Sequence, residues 1–264
     1  MAASSSDVSL DLEFSEAEIQ RYSRHILLPE IGGTGQAALG RARVLVVGAG
    51  GLGSPLLLYL AASGVGTIGI VDDDHVELSN LQRQIAHGMG SLGVAKTTSA
   101  AAAARAINPG VEIVEHRLRL TAPEAEALIP DYDIVCDGSD NFATRYLVAD
   151  ACVRARRVLV SAAVLRFEGQ LSVFKPHAGH DGPCYRCLYP EAPPAGLSPS
   201  CAEAGVLGAV TGVMGTLQAT ETIKEILGLG ESLSGRLLLW DALATRFRTI
   251  RVPRDPHCPV CSAL

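Results

Sequence analysis

The chain has 264 residues, with 22 Lys and Arg against 28 Asp and Glu, for a formal net charge of −6. Apolar residues make up 48% and charged ones 19%, enough for a sizeable core and too apolar for a disordered chain. The acidic balance speaks against a nucleic-acid wrapper, which would present a basic face, so no direct nucleic-acid contact is expected.

The first seven residues are polar and Ser-rich, with neither the basic flank nor the apolar centre of a secretory signal. Ser15 and Glu18 form a capping box ahead of Ile19-Gln20-Arg21-Tyr22. Residues 44–71 run without a charge, long enough for a bilayer, but they hold seven glycines and Pro55. That pattern is a buried strand (43–47), a tight glycine turn, a buried helix to about residue 63 and a second strand (67–71), so no membrane association is expected. Ser54 and Pro55 read as N-cap and N1 of that helix. An Ala-rich helix over 94–107 stops at Asn108-Pro109-Gly110. A strand over 111–118, a short helix over 123–129, a strand over 133–136, a helix over 142–156 and a strand over 158–161 follow. Strands separated by helices of this length imply parallel βαβ units and a doubly wound, Rossmann-like α/β fold with a largely parallel sheet. After Glu168 the pattern changes to an antiparallel extension, starting at 170–174. A Pro-rich connection at 190–199 leads to a Gly-punctuated helix over 204–227 and closing strands at 236–240 and 247–251. The whole chain, 1–264, reads as one domain. It comprises a helical arm (12–40), a nucleotide-binding part (41–165) and a part carrying the cysteine pairs (166–264).

Gly48-Ala49-Gly50-Gly51-Leu52-Gly53 follows a strand and precedes a helix, where glycines let the backbone approach a phosphate and the helix N-terminus favours an anion. The alternative is a Gly-rich packing turn. Asp72, at the end of the next strand, suits ribose hydroxyls. NAD is the usual tenant of such a turn, which keeps an oxidoreductase as an alternative. Against it stand Ser79-Asn80-Leu81-Gln82-Arg83 and Lys96, whose two cations suit the larger charge of a triphosphate. Read blandly, they are solvated surface charges. Asp137 and Asp140, at the end of the 133–136 strand, could hold Mg²⁺; Asp140 could equally cap the helix from Asn141.

Seven cysteines, an odd number, point to a reducing compartment and a cytoplasmic setting. Cys184-x-x-Cys187 and Cys258-x-x-Cys261 have the spacing of a structural Cys₄ zinc site, in which the metal would clamp the C-terminus to the body. Cys201, alone before a helix, has the setting of a reactive thiol. Cys136 and Cys152 read as packing thiols, and the seven histidines show no ligand spacing.

Together Arg21-Tyr22-Ser23-Arg24, the glycine turn, Ser79-Asn-Leu-Gln-Arg-Gln84, Asp140-Asn141, both cysteine pairs and Ser200-Cys-Ala-Glu-Ala-Gly205 resemble the MoeB/ThiF group, prokaryotic relatives of ubiquitin-activating enzymes. The likeness extends from about Leu12 to Cys261. It implies an adenylyltransferase that uses ATP and Mg²⁺ to activate the C-terminal glycine of a small ubiquitin-like sulfur carrier ending in Gly-Gly, as a step in sulfur transfer for molybdopterin, thiamine or a related pathway. By position, Gly51, Asp72, Ser79, Asn80, Leu81, Gln82, Arg83, Lys96, Asp140 and Asn141 would form the ATP site. Arg24 would come from the second subunit of a homodimer. Arg83, Lys96 and Asp140 would carry the chemistry, with Cys201 a candidate for a covalent step of the ThiF type. A sulfurtransferase or cysteine desulfurase is the implied sulfur source, and no fused sulfurtransferase domain is expected after residue 261. A tRNA-modifying dehydratase of the same fold, or a zinc-stabilised scaffold with a degenerate site, are the remaining alternatives.

Overall fold

The protein is described by a computed structural model that covers residues 14–179, 182–193 and 204–264. The helical arm consists of α1 (Glu16–Ile26) and α2 (Gly32–Arg41). The Ser15–Glu18 capping box is formed in both directions. The alternation that follows is β1 (Arg43–Val47), α3 (Gly53–Ser63), β2 (Thr67–Val71), α4 (Lys96–Ile107), β3 (Glu112–His116), α5 (Ala122–Leu128), β4 (Ile134–Asp137), α6 (Phe142–Ala155) and β5 (Val158–Leu165). The chain then passes through β6 (Glu168–Phe174), the single turn α7 (Tyr185–Leu188), the long α8 (Gly208–Leu227), β7 (Arg236–Asp241) and β8 (Arg246–Arg251).

All eight strands form one sheet in the order β3-β2-β1-β4-β5-β6-β7-β8. The first five are parallel, and β6, β7 and β8 are added antiparallel. Side chains alternate between two apolar layers. Val44, Val46, Ile68 and Ile70 face α3, α4 and α8, while Leu45, Val47, Val71 and Val135 face α5 and α6. Central strands buried on both faces explain the uncharged run at 44–71. Among the described residues no helix is long and apolar enough to cross a membrane.

Three local expectations need correction. Helix α3 starts at Gly53 with Leu52 at the cap, so Ser54 and Pro55 sit inside the first turn and Ser54 Oγ is buried without a partner among the described residues. Helix α8 begins at Gly208, because Gly205 takes a left-handed φ of +77° that breaks the run. Strand β5 continues to Leu165, since its pairing with β6 extends beyond its pairing with β4. Cys201 and most of the Pro-rich connection lie outside the described residues.

Candidate nucleotide site and cysteine cluster

In the sheet register Val47 pairs with both Val71 and Asp137, so β1, β2 and β4 end level with one another. Two hydrogen bonds continue the ladder past these ends, Gly48 N–H to Val71 O at 2.9 Å and Gly138 N–H to Val47 O at 3.0 Å. The connection from β1 leads to β2 on one side and β4 lies on the other. This is the switch point where doubly wound sheets leave a crevice. A cavity of about 310 Å³ opens there.

The glycine turn forms its floor. Gly48 adopts φ +91°, and a Cβ on Gly53 would lie 1.9 Å from Gly48 O, so both positions require glycine. Gly51 abuts Thr211 of α8, whereas a Cβ on Gly50 would meet nothing closer than Gln84 Nε2 at 3.6 Å. The N–H groups of Gly50, Gly51 and Leu52 have no acceptor among the described residues. A rim of free N–H groups at a helix start is an anion site by construction.

Asp72 supports this turn from beside it. Its carboxylate accepts from Ala49 N–H at 2.8 Å and Asp74 N–H at 2.9 Å. Burial raises its pKa above the usual carboxylate value, against the pull of Lys96 and the two N–H groups. His87 holds the turn from beneath, with Nε2 2.9 Å from Ala49 O and Nδ1 2.9 Å from Ser99 Oγ. Ala49 O can only accept, so Nε2 carries the proton and a neutral ring accepts at Nδ1. Burial lowers the His87 pKa, which favours this neutral form.

Of the residues singled out in the sequence, Gly51, Asp72, Arg83, Lys96, Asp140 and Asn141 line the cavity. Arg83 is half-buried and donates to Ser79 O at 3.1 Å. Lys96 is buried and donates to Asp74 Oδ2 at 2.8 Å. The helix from residue 142 is capped by Asn141, whose Oδ1 accepts from Thr144 N–H, so Asp140 is not the cap. The two carboxylates of the turn part company here. Asp137 is buried, accepts from Ser139 N–H at 2.9 Å and Ser161 Oγ at 3.3 Å, and does not line the cavity. Asp140 is exposed, lines the cavity and makes no hydrogen bond among the described residues. Of the pair, only Asp140 faces the cavity.

Ser79, Asn80, Leu81 and Gln82 lie outside the cavity wall. Asn80 Oδ1 accepts from Glu77 N–H, and Gln82 packs at the start of α8, where a Cβ on Gly208 would lie 2.2 Å from Gln82 O. They shape the segment that presents Arg83. Arg24 is exposed on α1 and also outside the wall. Its helix is tied to the other end of the sheet, through Tyr22 OH with Asn108 and Arg21 with Ile107 O.

Several lining residues escaped the sequence. Leu118, Arg119 and Leu120 follow β3, Arg145 donates to Ser139 O at 3.0 Å, and Thr211 faces the glycine turn, as does Gln84, which the sequence singles out only as the end of the Ser79–Gln84 motif. Gln84 Oε1 and Ser139 Oγ are buried with no partner among the described residues. Buried acceptors left open in a cavity wall fit a bound polar ligand. Among the described residues of the wall there is neither a His nor a Cys.

The four cysteines of the two pairs converge, although 70 residues separate the pairs. Neighbouring sulfurs are 3.5–3.9 Å apart and all lie within 4.8 Å. Four thiolates at about 2.3 Å around one tetrahedral ion would stand about 3.8 Å apart, so the cluster fits a metal such as zinc. The first pair is anchored to α6, since Arg186 makes two 2.8 Å contacts to Asp150 and stacks over Tyr146 at 4.6 Å. Cys136 and Cys152 are buried, and burial pushes the Cys136 thiol up to about 12, which leaves it inert.

A glycine turn with free N–H groups at the switch point, an acid held beside it and cations on the wall define an α/β protein with a candidate nucleotide site and an appended four-cysteine cluster. Residues 22–260 match the ThiF family, and the chain belongs to it. It is 58% identical over 248 residues to the adenylyltransferase and sulfurtransferase MOCS3 of Bos taurus, which covers 94% of this chain and 54% of the relative. Against the sulfur carrier protein adenylyltransferase of Thermus thermophilus it is 48% identical, covering 95% of this chain and 93% of that protein. Thus the chain spans about half the length of the bovine relative and nearly all of the bacterial one. A crystal structure of E. coli MccB with ATP superposes with a TM-score of 0.77 at 25% identity, covering 91% of this chain and 74% of that one.

Proposed function

We propose that the protein adenylates the C-terminal glycine of a small ubiquitin-like sulfur carrier, consuming ATP and releasing pyrophosphate. The observation that carries this reading is the cavity wall, which combines free N–H groups, Arg83, Lys96 and Asp140 with neither a His nor a Cys among its described residues. The name of the Thermus relative gives the substrate class.

A carboxylate is a poor electrophile, and adenylation turns it into a mixed anhydride with a good leaving group. The carrier's carboxylate attacks the α-phosphorus, the bond from that phosphorus to the bridging oxygen breaks, and pyrophosphate leaves with the electron pair. The nucleophile is already ionised, so no general base is needed. The work is alignment and charge neutralisation. In this reading Gly50, Gly51 and Leu52 offer N–H groups to the phosphates, Asp72 accepts from the ribose, and Arg83 and Lys96 neutralise the triphosphate. Asp140 would hold Mg²⁺, which supplies further neutralisation when bound. Asn141 fixes the helix start beside it, and Ser79 to Gln82 present Arg83. Zinc would sit in the Cys184, Cys187, Cys258 and Cys261 cluster as a structural clamp.

Arg24 projects from an arm tied far from its own cavity, so a contribution to catalysis requires a second copy. Exposed Leu78, Ile85, Met89 and Leu92 flank the segment that carries Arg83 and suit coverage by that copy. A cytoplasmic sulfurtransferase or cysteine desulfurase would then supply sulfur to the activated carrier.

The test is ATP–pyrophosphate exchange in Arg83→Ala and Asp140→Ala. Both are surface-facing substitutions and should leave the fold intact while abolishing exchange. Near-normal exchange in either variant contradicts the assignment of that residue.

A further inference from the structure

Lys96 carries its charge where charge is disfavoured. Its side chain is only 8% exposed, and it is the first residue of α4, where the helix dipole repels a cation. The cap residue, Ala95, offers no side-chain oxygen. A buried ammonium in such a place needs a counter-ion. Asp74 supplies it, accepting from Lys96 Nζ at 2.8 Å. The two residues are held together by their backbones as well, since Lys96 N–H donates to Asp74 O at 2.9 Å and His75 bridges Ala95. Asp74 is fixed in turn by its own N–H, which donates to Asp72 Oδ1. Both Lys96 and Asp74 line the cavity, and the Asp74 side chain is 66% exposed. Any phosphate that reaches this lysine meets that carboxylate too.

Resting on the reading that a nucleoside triphosphate fills the cavity, we infer that Asp74 is a resident counter-ion with which the β- and γ-phosphates compete for Lys96. It positions the lysine in the empty site and masks part of its charge in the filled one. Asp74 thereby sets how strongly the site prefers a polyphosphate over a monophosphate. A fully unmasked buried lysine would hold ATP and pyrophosphate more tightly, and pyrophosphate must leave after each adenylation.

The test is calorimetric titration of Mg·ATP and of AMP into wild type, Asp74→Asn, Lys96→Ala and the double variant, at fixed ionic strength. Removing the carboxylate should lower the Kd for ATP by about three- to tenfold, a modest factor because Asp74 is partly solvated. AMP, which does not extend to Lys96, should bind as in wild type. Lys96→Ala should weaken ATP by about tenfold or more, partly because it leaves Asp74 unpaired beside the phosphates. The double variant should therefore recover part of that loss, whereas a carboxylate that merely supports the fold would add to it. Asp74→Glu, which keeps the charge, should match wild type. Asp74→Ser serves as the second neutral variant should Asp74→Asn fail to fold. Unchanged or weaker ATP binding in a folded neutral variant, or a double variant weaker than Lys96→Ala, overturns the inference. Wild type that binds ATP no better than AMP would overturn the triphosphate reading itself, and this inference with it.

Discussion

Two glycines of the same turn should respond in opposite ways to one added methyl group. At Gly53 the Cβ would stand 1.9 Å from Gly48 O and 2.9 Å from Gly48 C, both backbone atoms that have no side-chain freedom with which to retreat. Ordinary contact needs about 3.4 Å, so the turn must open by about 1.5 Å, at a cost on the order of 3 kcal/mol or more. For a chain of this size that corresponds to a Tm lower by roughly 6–12 °C. At Gly50 the nearest atom is Gln84 Nε2 at 3.6 Å, and the backbone φ is not left-handed. Gly50→Ala should therefore leave the Tm within about 3 °C of wild type, or raise it slightly by restricting the unfolded chain. Its methyl projects into the cavity, on the N–H rim where phosphates are expected to lie. Binding of ATP should weaken by about tenfold or more as those contacts lengthen. Thermal unfolding and titration with ATP on the two variants test both halves. A stable Gly53→Ala, or a Gly50→Ala protein that binds ATP as wild type does, would refute the role given to the turn.

Three other outcomes are expected. His87 is held neutral in the fold with its pKa below the ordinary 6.5, so its contribution to stability is complete above pH 6.5 and is lost as the pH falls below it. Because burial also lowers the pKa of His116 and His177, the diagnostic quantity is the part of the acid-side fall in Tm that Gln at position 87 removes; an identical pH profile in His87→Gln would count against the assignment. Cys258→Ser should abolish zinc binding, read as metal content after dialysis, and lower the Tm by roughly 10 °C, since metal-binding energy is folding energy in such clusters; retained stoichiometric zinc would speak against a four-thiolate site. Asp137→Asn should keep most of the exchange activity, in contrast to Asp140→Ala, because Asp137 faces Ser139 and Ser161 instead of the cavity; equal losses would contradict that division.

How much of this was legible in the sequence depended on whether the constraint was local. The glycine turn was readable because its conformational demand falls within six residues of one chain. The cysteine pairs were readable because a tetrahedral site imposes a two-residue spacing on each half, although their meeting across 70 residues was an inference from chemistry. The local pattern left the division between Asp137 and Asp140 open, since it turns on which carboxylate lies in the last pleat of β4 and which lies beyond it; only the family resemblance picked out Asp140. Asn141 takes the cap because its Oδ1 reaches the N–H three residues on, a geometry that Asp140 could equally have met on paper. His87, Thr211 and Arg145 owe their places to packing between elements that are far apart in sequence. An isolated histidine 38 residues from the carbonyl it supports leaves no periodic signal.

The central claim is the adenylation of a carrier's C-terminal glycine. It is tested most directly by ATP–pyrophosphate exchange with a panel of purified ubiquitin-like proteins ending in Gly-Gly, each paired with a form lacking the last glycine. The account predicts exchange with an intact carrier and none with its truncated counterpart. Exchange that is absent with every carrier while ATP still binds, or that proceeds equally with the truncated forms, would contradict it.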